Sequence, residues 1–167
     1  MTEVQRYEVV KRQPGFEIRQ YAPHVLVTKS MSGSLAAAGS NAFRYLAGYI
    51  GGENAQRQQI AMTAPVIQNK QPSGYEVAFV MPDHMQDAPA PLREGMEVKK
   101  VDGVLMAAKR FSGMASEELF ERKGRKLIEE LERAGYKPIG EVSYARYNGP
   151  WTPAPLRRNE VLVALEG

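Results

Sequence analysis

Two stretches of the chain place apolar residues at helical spacing. Leu35, Ala42, Phe43, Leu46, Ala47 and Ile50 recur at mostly three- and four-residue intervals, the period of one helix face. Ser34 before them suits an N-cap, and Gly51-Gly52 after them suits a stop. The second stripe is Phe120, Leu127, Ile128, Leu131 and Ala134. It starts after Ser116, with Glu117 and Glu118 set against the positive end of the helix dipole, and Gly135 with Pro138 closes it. Glu118–Arg122, Glu121–Arg125 and Glu129–Arg133 are i,i+4 pairs, worth about 0.2–0.5 kcal/mol each and typical of a solvated face.

Outside the helices the pattern is strand-like, and it repeats. Residues 17–33 read EIRQYAPHVLVTKSMSG and residues 97–113 read EVKKVDGVLMAAKRFSG. At a shift of 80, Glu17 falls on Glu97, Val25 on Leu105, Lys29 on Lys109 and Gly33 on Gly113. Each copy reads as a hairpin turning at Ala22-Pro23 or Asp102-Gly103. Two further strand-like segments follow each helix, at 60–67 and 75–81, then at 141–147 and 160–165. Tyr7 to Val10 adds an N-terminal strand, and 82–95, with Pro82, Pro89, Pro91 and Gly95, reads as a linker. The expectation is one α+β domain over 1–167. It has two pseudo-symmetric strand–strand–helix–strand–strand halves, about 16–81 and 96–166, with two helices on a curved antiparallel sheet. A cleft beside the helices is the natural place for a ligand.

Composition narrows the chemistry. Of 167 residues 43% are hydrophobic and 25% charged, ordinary globular usage rather than that of a disordered chain. The net charge of +3 is too diffuse to argue for nucleic acid, though it favours an anionic ligand. The chain has no cysteine, so it has no disulfide, thiolate metal site, cysteine nucleophile or covalent heme attachment. No secretory leader and no run of about 18 apolar residues is present, so the expected location is cytoplasmic, with no membrane span.

Several segments together resemble one family. They are Phe43 to Ile50 with Gly51-Gly52-Glu53-Asn54, then Ile60-Ala61-Met62-Thr63-Ala64-Pro65-Val66, and the closing Tyr147-Asn148-Gly149-Pro150-Trp151-Thr152-Pro153 with Arg157-Arg158-Asn159-Glu160-Val161. With the opening Tyr7-Glu8-Val9-Val10 and Phe16-Glu17-Ile18-Arg19-Gln20-Tyr21, they resemble the SOUL/heme-binding protein family in the same order along the chain. The resemblance implies a distorted β-barrel of two repeated halves, a fold shared with GyrI-like small-molecule-binding domains. It also implies non-covalent binding of heme or a related tetrapyrrole beside the first helix. The helix positions facing heme correspond to Ser40, Phe43, Ala47 and Gly48. Two of these positions are basic in the heme-binding animal protein of the family, where Ser40 and Gly48 stand here. Phe43 and Ala47 keep the apolar contact with the ring and Met62 completes the wall. Arg44, Arg157 or Arg158 is left to face the propionates.

The residues themselves leave alternatives open. Heme iron commonly takes His, Met, Tyr or Cys as axial ligand, and the candidates here are His24, His84 and Met62. The histidines lack metal-site spacing and are expected on the surface, while Met62 is expected in the core. Trp151 either stacks on a flat ligand or anchors its proline-rich loop. Of Arg157 and Arg158, adjacent in a strand, only one can face a given site. Nucleophile, zinc-protease, Walker and dinucleotide motifs are absent. Glu53, Glu76, Glu141 and Glu160 remain as carboxylates able to do acid–base work. The alternatives to a tetrapyrrole carrier, buffer or sensor are a GyrI-like module for another small amphipathic molecule, a hydrolase using a cleft carboxylate, and a pure interaction protein.

Overall fold

The computed structural model describes residues 3–149 and 151–167; Met1, Thr2 and Pro150 of the closing motif lie outside the described residues. In chain order the elements are β1 (Glu3–Val4), β2 (Tyr7–Gln13), β3 (Phe16–Tyr21), β4 (His24–Ser32), α1 (Leu35–Ile50), β5 (Thr63–Ala64), β6 (Val66–Gln71) and β7 (Gly74–Val80). They continue with β8 (Met96–Val101), β9 (Val104–Phe111), α2 (Glu117–Arg133), β10 (Pro138–Arg146), a 3-10 turn at Ala154–Leu156, and β11 (Asn159–Leu165). These elements fall into two compact units, neither contiguous in sequence: residues 1–5 with 23–102, and residues 6–22 with 103–167.

The first unit is an antiparallel sheet in the order β6-β7-β4-β8 carrying α1, with a short parallel pair β1-β5. Ser34 caps α1 as its spacing predicts, its Oγ accepting from the Ala37 N–H at 3.2 Å. Gly51 ends the helix, and Gly52 follows with φ +122°. The buried stripe is Leu35, Ala38, Ala42, Leu46 and Tyr49, and it packs on β4 and β7. Each large side chain of such a stripe contributes about 1.5–3 kcal/mol by leaving water. This stripe corrects the sequence reading: Phe43 is 49% exposed rather than core. Ala47 and Ile50 are only half-buried. Tyr49 takes the deep position, its hydroxyl donating to the Pro89 carbonyl at 2.6 Å. Residues 82–95 carry no helix or strand and belong to this unit. Gly74 opens β7 opposite Ser32, and a Cβ there would run into the Met31 carbonyl.

The second unit is an antiparallel sheet in the order β2-β3-β9-β11-β10. α2 packs on β9, β10 and β11 through Phe120, Gly124, Leu127 and Leu131. Ser116 caps it, accepting from the Leu119 N–H at 3.1 Å. Phe120 stacks on Tyr144 at 4.8 Å between centroids. β11 is buried along nearly its whole length, the pattern of a central strand covered on both faces.

Two expectations fail. The hairpins at 17–33 and 97–113 do not form: β3 pairs with β2 and β9, and β4 pairs with β7 and β8. At both expected turns, Ala22–Pro23 and Asp102–Gly103, the chain instead passes from one unit to the other, as it also does at Gln5–Arg6. A two-residue hairpin of the favoured kind needs left-handed backbone in its turn. Proline cannot take it, and Gly103 does not. The true hairpin joins β2 to β3 through Pro14-Gly15, with Gln13 opposite Phe16 and Gly15 at φ +88°, the proline-then-glycine order of a type II turn. The expected barrel is also not formed within either unit. Among the described residues β6 does not pair with β8, nor β2 with β10, so each sheet is open. Two helices on antiparallel sheet make the protein α+β, as expected.

Candidate functional site

Helical periodicity turns Ser40, Phe43, Arg44 and Ala47 outward on α1. Ser40, Phe43 and Arg44 are exposed, while Ala47 and Gly48 are half-buried. Ala36 and Ala37, exposed one turn earlier, extend the same outer surface. This outer surface carries the small side chains Ala36, Ala37, Ser40 and Ala47 together with one aromatic ring, Phe43, and one cation, Arg44. That ring is steadied from below: Phe43 meets the buried Phe79 edge-on, with centroids 5.7 Å apart. Beside this face Glu53 stands over Gly48, where any Cβ would meet its carboxylate, and Arg93 Nε donates to Glu53 at 3.0 Å. Arg93 and Lys29 both lie over the Tyr45 ring, each 5.0 Å from its centroid. Arg44, Arg93 and Lys29 are therefore cations along this helix, and of these the sequence singles out Arg44 alone.

The motif after α1 has a structural task. Asn54 is fully buried, and its amide donates to the carbonyls of Tyr49 and Gln58 while its Oδ1 accepts from the Gln56 and Gln58 N–H groups. This folds the following loop back on the helix end, where the Ile60 N–H donates to the Ile50 carbonyl at 2.7 Å. Met62, half-buried, lies two residues further on. Two residues beyond Met62, the Ala64–Pro65 peptide bond is cis. Ser40, Phe43, Arg44, Ala47, Gly48 and Met62 thus belong to the first unit, whereas Trp151 and Arg157 belong to the second. His24 opens β4, and His84 is exposed in the 82–95 segment. No metal-ligating cluster of His, Asp or Glu occurs among the described residues.

The second unit holds a charged centre that sequence reasoning reaches only as one carboxylate among four. Glu160 on β11 has no exposed surface. Its Oε1 accepts from Arg19 Nη1 at 2.8 Å and the Tyr147 hydroxyl at 2.6 Å, and its Oε2 accepts from Arg19 Nη2 at 2.6 Å and Arg158 Nη2 at 3.0 Å. Burial pushes this carboxyl up, but Arg19, Tyr147 and Arg158 together overcome it and hold it below the usual glutamate range. That is the opposite of a general acid, which needs a raised value. Burial likewise pushes Tyr21 up to about 12 against the pull of Arg19. A cavity of about 340 Å³ opens over this cluster, bordered by Tyr7, Arg12, Glu17, Arg19, Arg110 and Arg158. Another, of about 320 Å³, lies at the start of α2, bordered by Met114, Ser116, Arg146, Asn148, Arg157 and Asn159.

Residues 2–164 match the model of a family described as "SOUL heme-binding protein". No match is found among curated proteins. Among solved structures, the fold is similar to the EcmrR C-terminal domain, with a TM-score of 0.67, 10% identity, and coverage of 96% of this chain and 98% of that one. It is also similar to a hydrolase from Listeria innocua (TM-score 0.59, 8% identity, 94% of each chain). A third likeness is to a putative transcription regulation protein from Staphylococcus aureus MU50 (TM-score 0.51, 10% identity, 98% and 99%). Identities this low speak for the fold alone. No helix among the described residues is long and apolar enough to cross a membrane.

Proposed function

Because the chain belongs to the SOUL heme-binding protein family, we propose that it binds a tetrapyrrole non-covalently on the outer face of α1, as a cytoplasmic carrier, buffer or sensor. The observation that carries this reading is Phe43, half-exposed on a face whose other residues are Ala36, Ala37, Ser40, Ala47 and the cation Arg44. An aromatic ring among small side chains fits the face of a macrocycle, and covering the exposed half of this ring contributes about 1 kcal/mol. Arg44 is the cation on that face for a propionate. Glu53 beside Gly48 occupies the place where a second cation would stand, so the clamp is one-sided. Met62, His24 and His84 are the axial candidates, and the reading gives the iron ligand at most a minor share of the affinity. Heme would supply the iron and the ring, and the chain supplies the surface that holds it.

The test is titration of metal-free protein with hemin, followed through the Soret band, with iron-free protoporphyrin IX alongside. Saturable 1:1 binding of both supports a face that reads the macrocycle. Saturation by hemin alone moves the weight to His24, His84 and Met62. Phe43→Asp should weaken porphyrin binding by about tenfold or more, the equivalent of about 1.4 kcal/mol, while the variant stays folded. Unchanged affinity would remove this placement. Binding of neither compound would favour the GyrI-like alternative, another small amphipathic ligand.

A further inference from the structure

The second unit holds one arginine whose surroundings differ from those of its other inward cations. Lys109 is paired with Glu130 at 2.6 Å, and Arg19 and Arg158 share Glu160. Arg146, half-buried at the end of β10, has no carboxylate of the described residues within ion-pair distance. Its Nη2 donates to the Ala115 carbonyl at 3.0 Å, and its guanidinium lies 5.5 Å from the Phe120 ring centroid. A guanidinium carries five N–H donors, and one is used. Burial first, and the charge of Arg157 second, hold Arg146 below the ordinary arginine value. Both effects disfavour its charged form, and a nearby anion would relieve both.

The space next to it is suited to such an anion. The cavity of about 320 Å³ at the start of α2 is lined by Arg146 and Arg157 and by no carboxylate among the described residues. Asn148 also lines it. Its Oδ1 accepts from the Arg158 N–H at 2.6 Å, which leaves its amide nitrogen as a further donor. The rim is apolar. Met114 is an exposed lining residue, and Trp151, 84% exposed, lays its ring against Gly149, another lining residue. The volume is at the small end of ligand pockets, which run about 300–1,000 Å³.

We propose that this cavity binds an amphipathic oxyanion, a carboxylate or phosphate carried on a small flat apolar body, with Arg146, Arg157 and Asn148 on the charge and Trp151 and Met114 against the body. The site lies wholly in the second unit and is independent of the tetrapyrrole reading.

Trp151 is the only tryptophan in the chain, so its fluorescence reports on this rim alone. The protein is titrated with benzoate, phenyl phosphate, inorganic phosphate and the uncharged benzyl alcohol. At least one aryl anion should give a saturable change with a dissociation constant of about 1 mM or tighter. Benzyl alcohol and inorganic phosphate should bind at least about tenfold more weakly, since each lacks one half of the recognition. Arg146→Gln and, separately, Arg157→Gln should each weaken the aryl anion by about tenfold, one charge-assisted contact. Circular dichroism establishes that each variant is folded. No saturable response to either aryl anion would overturn the proposal, as would equal binding of benzyl alcohol or of bare phosphate. These comparisons use the wild-type chain and do not depend on any variant folding.

Discussion

Replacing Glu160 with Gln changes almost no volume yet removes the one negative charge buried beneath two guanidiniums. Arg19, 2% exposed, would then face a neutral amide. It keeps Glu17, whose Oε1 lies 2.8 Å from its Nη2, and Arg158 sits nearer the surface and can turn to water. Breaking a buried pair by removing one partner costs about 3–5 kcal/mol. The retained Glu17 puts Glu160→Gln near the low end, about 3 kcal/mol. In urea, with a slope of about 2 kcal/mol/M, the unfolding midpoint should fall by about 1.5 M. The effect has a definite pH signature. A carboxyl held below its usual range stabilises the fold fully above the ordinary glutamate pKa of about 4.3, and that stabilisation fades as pH falls through the lower folded value. The gap between wild type and variant should therefore be full at neutral pH and narrow in acid. An exposed pair gives the baseline: Glu53→Gln, which unpairs Arg93, should cost no more than about 1 kcal/mol. A midpoint shift for Glu160→Gln no larger than that of Glu53→Gln would refute the reasoning, because it would mean that the cluster is solvated rather than buried.

Gly74→Ala should destabilise by more than about 1 kcal/mol in the same urea assay, since the added methyl meets the Met31 carbonyl and the Ser32 Cα, both backbone; wild-type stability would show that β4 and β7 can part there. Ser116→Ala removes the hydroxyl that accepts from the Leu119 N–H and should cost about 1 kcal/mol, read as a lowered thermal midpoint. Tyr21 and Tyr49, both pushed up to about 12 by burial, should titrate late when tyrosinate absorbance is followed. Each stabilises the fold below the ordinary tyrosine value of about 10, and that share is lost as pH rises towards 12. Tyr21→Phe and Tyr49→Phe should each remove one late-titrating group and no early one.

Both helices are readable because a three-to-four-residue apolar period bounded by serine and glycine fits little besides a helix. Phe43 is misplaced for a simple reason: hydrophobicity suggests burial, and its neighbour in the stripe, Ala42, takes the inward position while Phe43 turns out. The hairpins at 17–33 and 97–113 mislead because period-two alternation predicts a strand without naming its partner. The informative signal is Pro14-Gly15, which the likeness of residues 17–33 to 97–113 overshadows. Arg19 stands in the opening motif and Tyr147 and Glu160 in the closing one, and nothing local joins residues 141 positions apart. Arg146 carries no sequence signal, because a lone arginine in a strand differs from its neighbours only in lacking a carboxylate once the chain is folded.

The crossings at Gln5–Arg6, Ala22–Pro23 and Asp102–Gly103 mean that the second unit is stitched from two segments 80 residues apart in the chain. A ribosome making this protein releases the β2–β3 hairpin first and its sheet partners β9 and β11 last. At about 5–20 residues per second, Arg19 waits about 7–30 s for the Glu160 that lies 141 residues behind it. During that interval a buried-type arginine, Ile18 and Tyr21 have no native cover. The first unit, whose β4 to β8 segment is a single run, can close meanwhile. Synthesis order therefore favours one unit as the early folder and leaves the other to an orphan hairpin, which makes the nascent chain, rather than the finished protein, the stage at which this fold is most exposed to chaperones and to aggregation.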